Sequence, residues 1–416
     1  MNFEKRKLIN FLIFIFSIIS ISFLIYKQII YPTIIPVVKN GVTHLFADWS
    51  VIINANICLE KGFDVYLNNP CDIYGRKHAY GHILLNFPLI NNYNNLYFIY
   101  FPIFFNVAFL YIVINFFKLD NYVEYITIFP FIFSPSIILA IERANIDVLI
   151  FLLTVFVAFN KKILFNYISI LFVSLSKFYP IVLISIFIFE KKISKIILNI
   201  ILILVIFSVI LFFEMEELKK IFQNTKQFSA DIKGIYSFSF EALTFYLMKL
   251  NITINNQNYN WVKYVSFFIL LIIPIYLTFK YKFKHILNSS EINNFFLKDE
   301  YENRLYLISS LVILFCYFSL SNYLYREIFF LGLIPWILNQ KKLNSEKSFI
   351  NFYYYLLLSK FIISSIIVFL IRNDFIYFGK PILIFVKHCL DFYLISIILL
   401  IYFSAIKGFI FKFKRF

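Results

Sequence analysis

Charge is what this sequence has least of. Only 15% of its residues are Asp, Glu, Lys or Arg, against 61% hydrophobic, where soluble domains carry about 25% charged residues. With a mean hydropathy of +0.80, that shortage excludes an ordinary soluble domain and points to a polytopic membrane protein. Glycine is scarce as well, at eight residues. No Gly-x-Gly-x-x-Gly segment occurs, which excludes a Rossmann-type dinucleotide turn, and no Gly/Ser linker divides the chain. The four cysteines and five histidines fall into no zinc-ligand spacing. No internal repeat is evident.

Acidic residues are outnumbered, 23 to 39, for a formal net charge of +16. The excess does not indicate nucleic acid. Lys and Arg sit in short loops between apolar runs, as cytoplasmic loops of membrane proteins do, and no soluble basic stripe is interleaved with stacking aromatics. Richness in Asn, Ile, Lys and Phe fits an AT-rich genome, so single Lys and Asn residues carry little weight. The basic start, Met1 to Lys7, leads into an apolar run from Leu8 to Tyr26. That run is longer than a signal-peptide core and no Ala-x-Ala follows, so it reads as a retained span.

Counting runs of about 20 apolar residues gives about twelve segments, two of them short, in one integral membrane domain over 1–416. The runs are Leu8 to Ile30, Leu96 to Phe117, Tyr122 to Ala140, Asp147 to Phe159, Ile163 to Leu175, Ile181 to Phe189 and Ile196 to Phe213. After them come Trp261 to Phe279, Leu305 to Leu320, Glu327 to Leu338, Phe349 to Ile371 and Ile382 to Phe403. With both termini cytoplasmic, the Lys clusters all fall inside. Residues 31–95 and 214–260 then become extracytoplasmic loops of a protein in the cell membrane. Cys58 and Cys71 share the first loop and can pair on an oxidising face, while Cys316 and Cys389 lie in spans. Span interiors read as nearly clean, apart from Asp391. Asp48 to Glu60 fits a helix lying along the membrane, or an ordinary helix packed on the bundle.

On this topology the polar clusters share one face. Asp48, just past the first span, can serve as a general base or orient an acceptor hydroxyl; capping the helix that follows is an equally open use. Arg76, His78 and Tyr80 lie in the same loop on the acceptor side. Glu142 to Asp147 puts four polar groups at a junction of spans, where each buried charge costs about 2.5–3.5 kcal/mol on insertion scales. Arg143 and Asp147 can pair if the helix is continuous, and Asn145 can cap the next span, whose N-terminus attracts anions. Lys177 and Tyr179 stand at a Pro180 turn, suited to phosphate or sugar contact or to snorkelling. Tyr325 and Arg326 open a later span, and the Arg fork matches phosphate oxygens.

In this order the residues resemble a known family. Asp48, Gly62 to Tyr66 and Tyr80 to Pro88 look like the first loop of polyprenyl-phosphate-dependent GT-C glycosyltransferases of the glycosyltransferase family 87 type. Asn145-x-Asp147, Lys177-Phe178-Tyr179-Pro180 and Tyr325-Arg326 are similar to later motifs of that group. The chain departs from the pattern at Arg143-Ala144-Asn145, where many relatives have Gly-Gln or Gly-Asn, and at Tyr80-Gly81-His82, where Tyr-Pro-Pro is commoner. The resemblance implies a GT-C-type bundle of 11–13 transmembrane segments and inverting transfer of a hexose- or mannose-like sugar. The donor would be a polyprenyl phosphate and the acceptor a glycan or a lipid-linked one. Asp48 would act on the acceptor hydroxyl, and Arg326, Lys177 and Arg143 would hold the donor phosphate. No cofactor is implied, and a divalent metal is neither demanded nor excluded. A Wzy-type polysaccharide polymerase and a lipid-linked-sugar transporter are the rival readings. Clean span interiors argue against transport.

Overall fold

The computed structural model describes residues 3–30, 44–86, 96–117, 125–231, 235–250, 298–319, 322–343, 347–373 and 379–413, with isolated positions between them. The expected span Trp261 to Phe279, most of the loop after it and Pro88 lie outside the described residues.

The chain is mostly helical, consistent with an all-α membrane protein, and among the described residues five helices are long and apolar enough to cross a membrane: Glu4–Tyr26, Leu96–Phe116, Ile193–Phe213, Phe349–Arg372 and Lys380–Ile406. The first expected loop holds α2 (Ala47–Glu60), after α1 (Phe3–Tyr26). Then come α3 (Phe101–Phe116), α4 (Ile128–Ile132), α5 (Pro135–Arg143), α6 (Ile146–Phe159) and α7 (Ile163–Ser176). A 3-10 segment, Tyr179–Phe189, leads to α8 (Ile193–Phe213) and α9 (Met215–Asp231). Strand β1 (Ser237–Phe238) precedes α10 (Phe240–Leu250) and pairs antiparallel with β2 (Asn322–Tyr323), which follows α11 (Tyr301–Phe318). A second 3-10 segment, Leu324–Leu333, runs into α12 (Ile334–Leu343), and α13 (Lys347–Arg372) and α14 (Lys380–Phe413) close the fold.

Several expected spans take another form. Tyr122 to Ala140 is not one helix: the chain breaks at Phe133–Ser134, where the Ser134 hydroxyl caps α5 and Pro135 starts it without needing an amide donor. α6 and α7 match their expected runs to within one residue; at 14 residues each, about 21 Å at 1.5 Å per residue, they are short of the roughly 30 Å hydrocarbon layer. Glu327 to Leu338 begins as a 3-10 helix. Such backbone is tolerated at membrane depth where protein surrounds it, and Leu324 and Glu327 to Leu333 are all buried.

That second 3-10 segment packs along α11, and the contact needs Gly332. A Cβ there would overlap the Ser309 side chain. α2 is buried along nearly its whole length, so it packs on the bundle and does not lie along a membrane surface. Its end is tied by a Cys58–Cys71 disulfide, Cα–Cα 5.7 Å. α9 covers the same loop: Lys220 pairs with Asp64 at 2.7 Å, and Asn224 donates to the Tyr66 carbonyl at 2.8 Å.

Candidate functional site

Segments from across the chain meet at one end of the bundle. The start of α2 is held against the end of α5 by Phe46, whose amide donates to the Glu142 carbonyl at 2.8 Å. Phe46 occupies the cap position with φ +61° and makes no side-chain cap bond. Asp48, one residue into the helix, is therefore not the cap, and its carboxylate is turned to other partners. Asn145 Nδ2 donates to one oxygen at 2.7 Å, and Arg76 Nη1 to the other at 3.2 Å. Arg76 is fixed from behind by a bidentate grip on Asp72, at 3.1 Å for both Nε and Nη2. Burial alone would lower its pKa, but Asp72 and Asp48 more than offset that and hold it above its ordinary value.

The junction after α5 is a turn rather than a continuous helix. Ala144 takes a left-handed conformation, φ +43°, and Asn145 caps α6 by accepting from the Asp147 amide at 3.0 Å. The expected Arg143–Asp147 pair is thereby excluded. Arg143 turns to Glu142 at 3.1 Å and lies 3.9 Å from Asp48. Asp147, fully buried, instead receives Lys177 Nζ at 2.6 Å and the Tyr179 hydroxyl at 2.7 Å on one oxygen. Arg326 Nε stands 3.8 Å from the other oxygen, too far for a hydrogen bond.

Aromatic rings line the cations. Lys177 Nζ lies 5.4 Å from the Tyr80 ring centre and 5.6 Å from that of Tyr325, and the Arg326 guanidinium is 4.8 Å from that of Tyr179, all within cation–π range. Tyr80 is set by Gly81, whose amide donates to the Ser176 carbonyl at 3.0 Å. A Cβ on Gly81 would overlap the Leu175 carbonyl. Asp48, Arg76, Tyr80, Arg143, Asn145, Asp147, Lys177, Tyr179, Tyr325 and Arg326 thus form one connected group. His78 does not join it. It is buried edge-on between Tyr66 and Tyr80, 5.4 and 5.5 Å away, and burial pushes its pKa down to about 3. It touches the group only through the Tyr80 ring.

No protein family, curated protein or solved structure matches this chain. The site is therefore read from its own chemistry. Its inner part has two cations, Lys177 and Arg326, sharing one carboxylate, Asp147. The Arg326 Nε proton, buried, has no acceptor. Two cations on one carboxylate, with a spare donor, suit an anion. Asp48 and Arg326 each keep 18% of the side chain exposed. Among the described residues no three His, Cys, Asp or Glu side chains gather as a metal site.

Span interiors are not clean. Glu327 on the second 3-10 segment, Lys360 on α13, and Lys387, His388 and Asp391 on α14 form a fully buried ionic cluster. Lys360 pairs with Glu327 and lies 3.5 Å from Asp391; Lys387 lies 3.7 Å from Glu327 and 3.4 Å from Asp391. The signal was present as a lysine midway along an apolar run.

Proposed function

We propose that this chain is an integral membrane glycosyltransferase of the GT-C type. It moves a hexose-like sugar from a polyprenyl-phosphate donor to a glycan or lipid-linked acceptor on the extracytoplasmic face. The observation that carries the reading is the division of the site. A carboxylate, Asp48, stands beside two part-exposed cations, Lys177 and Arg326, which share the fully buried Asp147, and the Arg326 Nε donor is unused.

In this reading the acceptor hydroxyl loses its proton to Asp48 as its oxygen attacks the sugar C1. The C1–O bond to phosphate breaks, and the electron pair leaves with the polyprenyl phosphate. Lys177 and Arg326 stabilise the charge that grows there. Asn145 and Arg76 orient Asp48, and Tyr80, Tyr179 and Tyr325 wall the cations from water. The outward-facing sense is supported by the positive-inside rule. α7 runs from Lys161 and Lys162 to the site, the first 3-10 segment runs from the site to Lys191 and Lys192, and the second with α12 runs from it to Lys341 and Lys342.

A second reading, lipid-linked-sugar transport, gains one observation: charged residues do lie inside spans. They are balanced, two lysines against two carboxylates, and enclosed, so transfer remains the reading the site supports best. The test is mass spectrometry of lipid-linked saccharides and surface glycans from a deletion strain, complemented with wild type or with Asp48→Asn. Loss of a single sugar in the deletion and Asp48→Asn strains is expected. Accumulated complete repeat units on lipid would instead indicate a polymerase, and an unchanged profile would favour transport.

A further inference from the structure

The two ionic clusters are joined through consecutive residues. Arg326 faces Asp147, and Glu327 faces the lysines of α13 and α14. The segment that carries both is a 3-10 helix of 10 residues, and two sets of contacts from the buried cluster reach it. Lys360, its ammonium flanked by the Phe330 and Phe361 rings at 5.1 and 4.8 Å, grips Glu327 directly. Lys387 acts by a second route. It donates to the Ser237 carbonyl at 2.8 Å, Ser237 pairs with Tyr323 and Phe238 with Asn322, and Leu324 donates its amide to the Tyr236 carbonyl at 2.7 Å. Asn322 in turn accepts from Arg326 Nη1 and donates to the Cys316 carbonyl. Both routes end on the residue whose guanidinium lies over Tyr179.

We infer that Glu327, Lys360, Lys387 and Asp391 are positioning residues: a charge-balanced clamp in the membrane interior that sets Arg326 for its anionic ligand. The inference rests on the donor-phosphate reading for the identity of that ligand, but not for the clamp itself. None of the four touches the anion site, so removing an opposite pair leaves its charge unchanged.

The test uses full-length protein in detergent. Binding of farnesyl monophosphate is measured alongside hydrogen exchange of peptides covering 322–333 and 146–159. Glu327→Gln with Lys360→Met keeps the Lys387–Asp391 pair intact. Its expected effect is about tenfold weaker phosphate binding and about tenfold faster exchange over 322–333, with 146–159 unchanged. Unchanged binding and exchange overturn the inference. Faster exchange with unchanged binding also overturns it, since the clamp would then serve the fold alone. If wild type binds no farnesyl monophosphate, the donor reading fails, and binding of inorganic phosphate to the same proteins decides the clamp: about tenfold weakening in the double variant is expected, and no weakening overturns it. Should the double variant not fold, Glu327→Asp keeps the charge on a shorter arm and is expected to weaken binding about threefold; wild-type behaviour there overturns the inference.

Discussion

Two ionic clusters of similar composition sit side by side in this molecule and are built on opposite principles. The clamp at Glu327, Lys360, Lys387 and Asp391 is sealed, its side chains no more than 1% exposed, with two positive and two negative charges. The site around Asp48 and Asp147 is partly open, with Arg76 at 22% and Arg326 at 18%, though its Arg76, Arg143, Lys177 and Arg326 are matched by Asp48, Asp72, Glu142 and Asp147. A sealed cluster has little left to offer a ligand. An open one with a spare donor does. Exposure, more than residue type or net charge, separates a structural ion cluster from a binding one.

The comparison breaks most sharply with Lys360→Met. It leaves Glu327 and Asp391 with one lysine between them, and breaking a buried pair in this way costs about 3–5 kcal/mol. The expected outcome is a thermal midpoint in detergent many degrees below wild type, or loss of folded protein. Asp48→Asn should shift the balance the other way. Its single amide oxygen serves only one of the two donors, Asn145 Nδ2 and Arg76 Nη1, so the midpoint should fall, but by less than for Lys360→Met, while sugar transfer falls by about 10²–10⁴-fold, the usual worth of a general base. Equal stability losses in the two variants would remove the distinction.

The loop that supports the open site gives a third comparison. Gly81→Ala forces a methyl group into the Leu175 carbonyl, an overpacking that typically costs about 1–3 kcal/mol. The backbone must retreat from Ser176 and carry Tyr80 away from Lys177. Stability and transfer should fall together, unlike either ionic variant.

His78 gives a smaller effect with a defined sign. Its folded pKa is about 3, below the ordinary value near 6.5. Between those values the unfolded chain binds a proton that the folded one does not, so stability falls as pH falls. Acidifying from pH 7 to pH 5 should cost wild type roughly 2 kcal/mol through this residue. Melting of wild type and His78→Gln at both pH values checks this, and the variant should lose less. A similar loss in both would place the acid sensitivity elsewhere.

Much of the open site was legible in the sequence because its residues cluster at the ends of apolar runs, where polar groups at a helix junction stand out. Asp48, Asn145, Lys177 and Arg326 are far apart in the chain, yet each marks such a junction. What could not be read was the local backbone. Asp48 reads as a cap, but Phe46 takes that position in a left-handed turn. Arg143 and Asp147 have helical spacing, but the helix stops between them. Asp72 shows no signal beyond its spacing of four from Arg76. Span bounds were legible where the apolar run is unbroken: α6, α7 and the first 3-10 segment match the expected runs to within one or two residues. Hydropathy counts apolar residues whether lipid or protein surrounds them, so it did not separate these short segments from full crossings.

The turn between Arg143 and Asn145 yields the smallest and most local prediction. Ala144 adopts φ +43° and ψ +50°, a left-handed conformation that costs a residue bearing a Cβ about 1–2 kcal/mol. Glycine there relieves the strain but widens the unfolded ensemble, an opposing entropic term of about 0.4–1 kcal/mol. Ala144→Gly should therefore stabilise the protein by at most about 1.6 kcal/mol, visible as a small rise in thermal midpoint. Transfer should be unchanged, because Asn145 still caps α6 and still donates to Asp48. If the midpoint rises but transfer falls, the strained alanine is holding Asn145 against Asp48, and stiffness at this junction belongs to the open site just as the clamp belongs to Arg326.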